Sequence, residues 1–105
     1  MSTDASTKYI SDSQQRLMGL VIALAGNEVT GLSPSQLAKL NDCDPSQVTR
    51  DLANLKARGW AEQITDTGRW RLGPQIVQIS LRHMTALDRA RTRLDEVANR
   101  FSRTD

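Results

Sequence analysis

Ser33-Pro-Ser-Gln-Leu-Ala-Lys-Leu-Asn-Asp-Cys-Asp-Pro-Ser-Gln-Val-Thr-Arg-Asp-Leu-Ala-Asn-Leu-Lys-Ala-Arg-Gly59 is the stretch on which the fold turns. It carries one helix-start signal twice. Ser33-Pro34 places a capping hydroxyl before a proline at the first helical position, and Asp44-Pro45 does the same with a carboxylate. The first of these helices runs to Leu40, with Leu37, Ala38 and Leu40 available for packing. Asn41-Asp42-Cys43 is a tight turn. The second helix runs to Arg58, and Gly59 closes it as a left-handed C-terminal residue. Val48, Leu52 and Leu55 stand at i, i+4 and i+7, which makes one buried stripe. Ser46, Arg50, Ala53, Asn54 and Ala57 project on the opposite side, with Gln47 and Thr49 on its flanks. That outer face is small, polar and basic.

Downstream, Trp60–Thr65 and Arg69–Leu72 have strand character, and Asp66-Thr67-Gly68 between them is a hairpin turn. Gly73-Pro74 ends the hairpin and opens a long helix to Phe101. In it Leu87, Leu94 and Phe101 recur every seven residues, with Met84, Ala90, Val97 and Ala98 beside them. This is close to a coiled-coil seam, interrupted by Arg91. Upstream, a helix is expected over Ser13–Ala25, capped by Ser13 and packed through Leu17, Leu20, Val21 and Leu24. Val29–Leu32 is a short connection with the makings of one more strand. Residues 1–12 are polar and aperiodic and are expected to form a disordered arm. The expected organisation is thus an arm (1–12), a helical domain with a small β-hairpin (13–74) and a C-terminal helix for dimerisation (75–105).

Composition narrows the function classes. With 38% hydrophobic and 25% charged residues, the chain reads as one soluble globular domain. No apolar run approaches the roughly 18 residues of a membrane span. The N-terminus lacks a secretory signal pattern, so a cytoplasmic location is expected, at the nucleoid in a bacterium. A single cysteine, Cys43, excludes an internal disulfide. The net charge of +2 says little, but its distribution says more. Residues 1–47 hold three bases against five acids, and residues 48–105 hold eleven bases against seven. Eleven of the fourteen bases are arginine, whose donor fork suits phosphate and guanine edges.

The order helix, tight turn, helix, hairpin is that of a winged helix-turn-helix, in which the later helix enters the DNA major groove. Its N-terminal residues, Ser46, Gln47, Thr49 and Arg50, would reach base edges. Gln pairs with adenine and Arg with guanine through two hydrogen bonds each. Backbone amides near Ser33 and Asp44 are candidate phosphate contacts. On the hairpin, Arg69 and Arg71 stand at i and i+2 and share one face, a second cationic element, while Trp70 turns inward.

Other residues have plainer readings. Trp60 and Trp70 are placed in the core. Cys43 is a small apolar turn residue. His83 has no evident second ligand, and Asp95 and Glu96 are adjacent on a helix and diverge. No Gly-rich phosphate loop and no paired nucleophile and base suggest an enzyme, and no cofactor or metal is expected. The rival to DNA binding is a winged-helix protein-protein adaptor. An acidic or apolar outer face would favour it; the face with Arg50 and Asn54 does not.

The segment Asp66-Thr-Gly-Arg-Trp-Arg-Leu-Gly-Pro74 resembles the wing of IclR-type transcriptional regulators, which typically reads Asp-Thr-Gly-Arg-Tyr-Arg-Leu-Gly. Ser46-Gln-Val-Thr-Arg50 is similar to that family's recognition helix, Ser-Thr-Val-His-Arg, and Leu52, Leu55 and Gly59 fall in step. The resemblance covers Ser13 to Ser80. It implies a winged helix with its third helix in the major groove, as a dimer on a two-part site. Taken together with the readings above, Ser35, Ser46, Gln47, Thr49, Arg50, Asn54, Arg69 and Arg71 are the expected DNA-binding residues. Three departures qualify the resemblance. The length leaves no room for the family's effector-binding domain, so no small-molecule effector is expected. Asp42 replaces the usual turn glycine, which suggests a different turn geometry. Thr49 replaces the common histidine, so base preference does not transfer. The C-terminal helix is expected to pair two copies, with recognition helices one DNA turn apart.

Overall fold

Both Ser/Asp-Pro signals start helices. The computed structural model describes residues 7–102. Among them the elements run α1 (Asp12–Leu24), α2 (Pro34–Leu40), α3 (Pro45–Ala57), β1 (Ala61–Gln63), β2 (Trp70–Leu72) and α4 (Pro74–Ser102). The chain is mainly α with a small antiparallel hairpin and a long C-terminal helix.

The core lies where α1, α2, α3 and the hairpin meet. Leu20, Leu24, Leu37 and Val48 are fully buried, with Leu52, Leu55, Ala38, Ala61 and Trp70 around them. Leu17, Val21 and Leu32 pack against this cluster from its edge. Leu40, expected to pack, is instead 64% exposed. It is the last residue of a seven-residue helix whose inward face is filled by Leu37 and Ala38. Trp70 is in the core as expected; Trp60 is only half-buried at its rim.

Helix α1 begins earlier than the Ser13 cap implies. Ser11 is the cap, its hydroxyl accepting from the Gln14 N–H at 3.3 Å, and Ser13 shares a hydroxyl hydrogen bond with Ser11 at 3.1 Å. Ahead of it the Ile10 N–H donates to the Thr7 carbonyl at 3.1 Å. The expected arm therefore ends before Ser11 in the described residues; residues 1–6 lie outside them.

In the α2–α3 turn Asp42 takes φ of +51°. This is the left-handed conformation that glycine supplies most cheaply and that Asp tolerates better than most residues. Asp42 therefore carries a left-handed turn without a glycine. The Cys43 N–H donates to Ala38 O at 3.0 Å and closes the turn.

The hairpin pairs Ala61 with Leu72, Glu62 with Arg71 and Gln63 with Trp70. Its strands are shorter than the sequence suggests. The Gly68 N–H bonds back to Ile64 O at 2.8 Å and draws residues 64–69 into the turn. Val29–Leu32 gives no full strand. Leu32 alone bridges Trp70, through two backbone bonds of 2.8 Å, and Val29 is exposed.

Gly59, at φ +74°, ends α3 as expected. Gly73 lies directly over it, and a Cβ on Gly73 would collide with the Gly59 carbonyl oxygen. Gly73 N–H donates to Trp60 O and Gln75 N–H to Gly59 O, both at 2.9 Å. These bonds dock the first turn of α4 onto the end of α3. Beyond its second turn α4 leaves the domain, and none of its residues is buried. The radius of gyration is accordingly 20.0 Å, against about 13 Å for a compact chain of about this length. No helix among the described residues is long and apolar enough to cross a membrane.

Candidate nucleic-acid interface

Helix α3 divides cleanly into two faces. Inward are Val48, Leu52 and Leu55, together with one acid, Asp51. Outward, Ser46, Thr49, Arg50, Ala53, Asn54 and Ala57 are all exposed. The stripe expected to face outward does so, and its small residues leave room for a surface to approach closely.

Asp51 is the residue that sequence reasoning missed. It is 6% exposed and paired with Arg16 of α1, Nε to Oδ2 at 2.6 Å and Nη2 to Oδ1 at 3.0 Å. The pKa of Arg16 is raised, first by this hydrogen bond and further by the charge of the carboxylate. The signal was present: Asp51 stands three residues after Val48 and four before Leu55, inside the buried stripe. An acid at a core-facing helical position needs a cation from another element. The consequence for the outer face is direct. The only carboxylate of α3 is turned inward and neutralised, so Arg50 meets no acid from its own helix.

The start of α3 differs from expectation. The Asp44 N–H donates to the Gln47 side-chain oxygen at 3.0 Å. Gln47 thereby serves the helix cap, and its carbonyl is not available for a two-bond pairing with adenine in this rotamer. At α2 the Ser33 N–H donates to Gln36 Oε1 at 2.8 Å, and the Gln36 N–H donates to Ser33 Oγ at 3.2 Å. The N–H groups of Ser33 and Asp44 themselves are therefore spent on capping boxes. Ser35 and Ser46, one residue beyond each proline, are exposed.

Two more outward residues bond to their own helix. Thr49 Oγ1 donates to Pro45 O at 3.0 Å, and Asn54 Nδ2 donates to Arg50 O at 2.9 Å. Each keeps an oxygen free to accept. Arg50 makes no ion pair among the described residues and is the strongest donor on the face.

On the wing the two arginines part company. Arg71 Nε donates to Glu62 Oε1 across the ladder at 2.8 Å, so its charge is countered. Arg69, half-buried at the turn, has no carboxylate partner among the described residues.

A groove of about 460 Å³ opens between α1, α3 and the first two turns of α4, lined by Leu17, Met18, Asn54, Arg58, Trp60 and Ile79 among others. No group of three or more His, Cys, Asp or Glu among the described residues is placed to hold a metal. The chain matches no protein-family model, and no curated protein matches it.

Proposed function

We propose that the protein binds double-stranded DNA as a winged helix-turn-helix module and acts as a small transcriptional regulator of the IclR type, repressing by occupying its operator. The observation that carries this is the outer face of α3. It is exposed, built on small residues, centred on Arg50, and cleared of acid by the burial of Asp51 against Arg16. Duplex DNA carries about one negative charge per 1.7 Å of axis, and a cationic helix face without an acid and with short flanking side chains suits its major groove. In this reading Arg50 pairs with a base edge, Ser46 and Thr49 contact bases or phosphates, and Arg69 holds the backbone or minor groove. Helix α4 joins two copies on a two-part site. Exposed Met84, Leu87, Leu94 and Phe101 at heptad spacing support that role. Such a regulator works in the cytoplasm, at the nucleoid in a bacterium.

The test is fluorescence anisotropy of a labelled random-sequence duplex, titrated with protein across a salt series. Binding that weakens steeply with salt supports phosphate contact and opens the way to selecting a preferred site. Absence of binding at low salt overturns the proposal and brings the protein-adaptor reading forward.

A further inference from the structure

We propose that α4 pairs with α4 of a second copy in the antiparallel sense, with Arg91 of each chain beside Asp95 of the other. This rests on the dimeric reading above and adds its direction.

The seam reads Met84, Leu87, Arg91, Leu94, Ala98 and Phe101, at alternating spacings of three and four. These are the a and d positions of a coiled coil, and the odd member is a cation. Its flanks differ. Asp88 and Asp95 border one side of the seam, Ala90 and Val97 the other. Arg91 and Asp95 are four apart, yet they make no ion pair within the chain. With the base N-terminal to the acid, this is the weaker orientation for such a pair.

A parallel pairing stacks like on like. Arg91 would then lie against Arg91 of the second copy, with leucines above and below and Ala90 as the nearest flank. Two like charges would be desolvated together, with no carboxylate from the partner within the layer. An antiparallel pairing sets each a position against a d position. Arg91 then stands level with Leu94 of the second copy, Leu87 with Ala98, and Met84 with Phe101. Large faces small in the Leu87–Ala98 layers that flank the centre, and the pattern repeats itself about the two-fold axis. The acidic flanks fall on the same side of the interface as both arginines. Asp95 of the second copy comes within one residue of Arg91 along the axis, about 1.5 Å of rise. The opposite flank brings Ala90 beside Val97 and extends the apolar contact.

The direction has a functional consequence. An antiparallel pair holds the two Pro74 residues about 55 Å apart at 1.5 Å per residue, beyond the roughly 34–36 Å of one DNA turn. It favours a two-part site with halves more than one turn apart, in contrast to the one-turn spacing expected from sequence.

The experiment is a spin-spin distance measurement on the full chain with Cys43→Ser, labelled at Ser102→Cys, at concentrations where sedimentation shows the dimer. The expected separation of the two Ser102 backbones is about 30 Å, set by the offset along the helix. A dimer with the two positions about 10 Å apart, the distance between neighbouring helix axes, overturns the antiparallel sense and leaves the dimer standing. A separation near 40 Å, one heptad further out, overturns the Asp95 pairing and places Asp88 at Arg91 instead. A chain that stays monomeric at every concentration overturns the dimeric reading itself.

Discussion

Arg16 on α1 and Asp51 on α3, 35 residues apart in the chain, hold each other through two hydrogen bonds of 2.6 and 3.0 Å. The bonds run from the guanidinium fork to both carboxylate oxygens, the geometry in which arginine binds most selectively. Arg16 sits one residue before Leu17, and Asp51 one before Leu52, so the pair lies at the edge of the α1–α3 core contact. It fixes the rotation of α3 about its own axis. The same rotation decides which side chains α3 presents outward.

Removing one partner leaves the other charge half-sheltered and alone, which costs more than removing both. Arg16→Met is therefore expected to lower the midpoint of thermal unfolding, and Asp51→Leu to lower it as well. The double variant should recover most of the loss. Thermal melts followed by circular dichroism at low and high salt measure this. Losses that simply add would show that the two side chains are not coupled.

The helices were legible because their signals are local. Serine or aspartate before proline, a 3.6-residue apolar period and a terminal glycine each act within one turn of chain, and α2, α3 and the end of α3 follow from them. The hairpin was legible from its turn, although its length was not, because the Gly68–Ile64 bond that ends the ladder depends on turn geometry. What the sequence did not disclose is pairing over distance. Asp51 meets Arg16 and Arg71 meets Glu62. Each of these polar residues was open to solvent, nucleic acid or another side chain, and only the packed chain decides among them. The outer face of α3 was read from its period. The engagement of half its side chains was not.

Arg50 and Arg69 should separate two kinds of DNA contact. Arg50→Ala is expected to weaken binding to the preferred site and to relax base preference at one position, by about 1–3 kcal/mol of discrimination. Arg69→Ala should weaken binding to all sequences alike and reduce the slope of log affinity against log salt by about 0.9. Competition binding with single-base variants, repeated across a salt series, distinguishes them. A base-specific loss at Arg69 would mean that the wing reads sequence.

Asp42 carries the turn between α2 and α3 at φ +51°. A non-glycine residue pays about 1–2 kcal/mol in this region. Asp42→Gly removes that strain and returns part of the gain through the greater freedom of the unfolded chain. The net expectation is a stabilisation of about 0.5–1 kcal/mol in urea unfolding. Asp42→Val should destabilise, because a β-branched side chain fits the left-handed region worst. If Asp42→Gly were neutral or harmful, the carboxylate would be contributing something that outweighs the strain.

Glu62 and Arg71 give the most direct test of the wing. Their ion pair, 2.8 Å long, is partly open to solvent, and pairs of that kind contribute roughly 0–1 kcal/mol to stability. The carboxylate therefore matters little to folding and a good deal to the field around the wing. Glu62→Gln keeps the size of the side chain and a hydrogen-bonding oxygen for Arg71, and removes the charge. Folding stability should change by less than about 1 kcal/mol. DNA affinity at low salt should rise, and the salt slope should steepen by up to about 0.9 as Arg71 becomes free to meet a phosphate. Anisotropy titrations of the variant beside the parent protein measure both quantities. An unchanged slope would mean that Arg71 does not face the duplex and that Arg69 alone carries the charge of the wing.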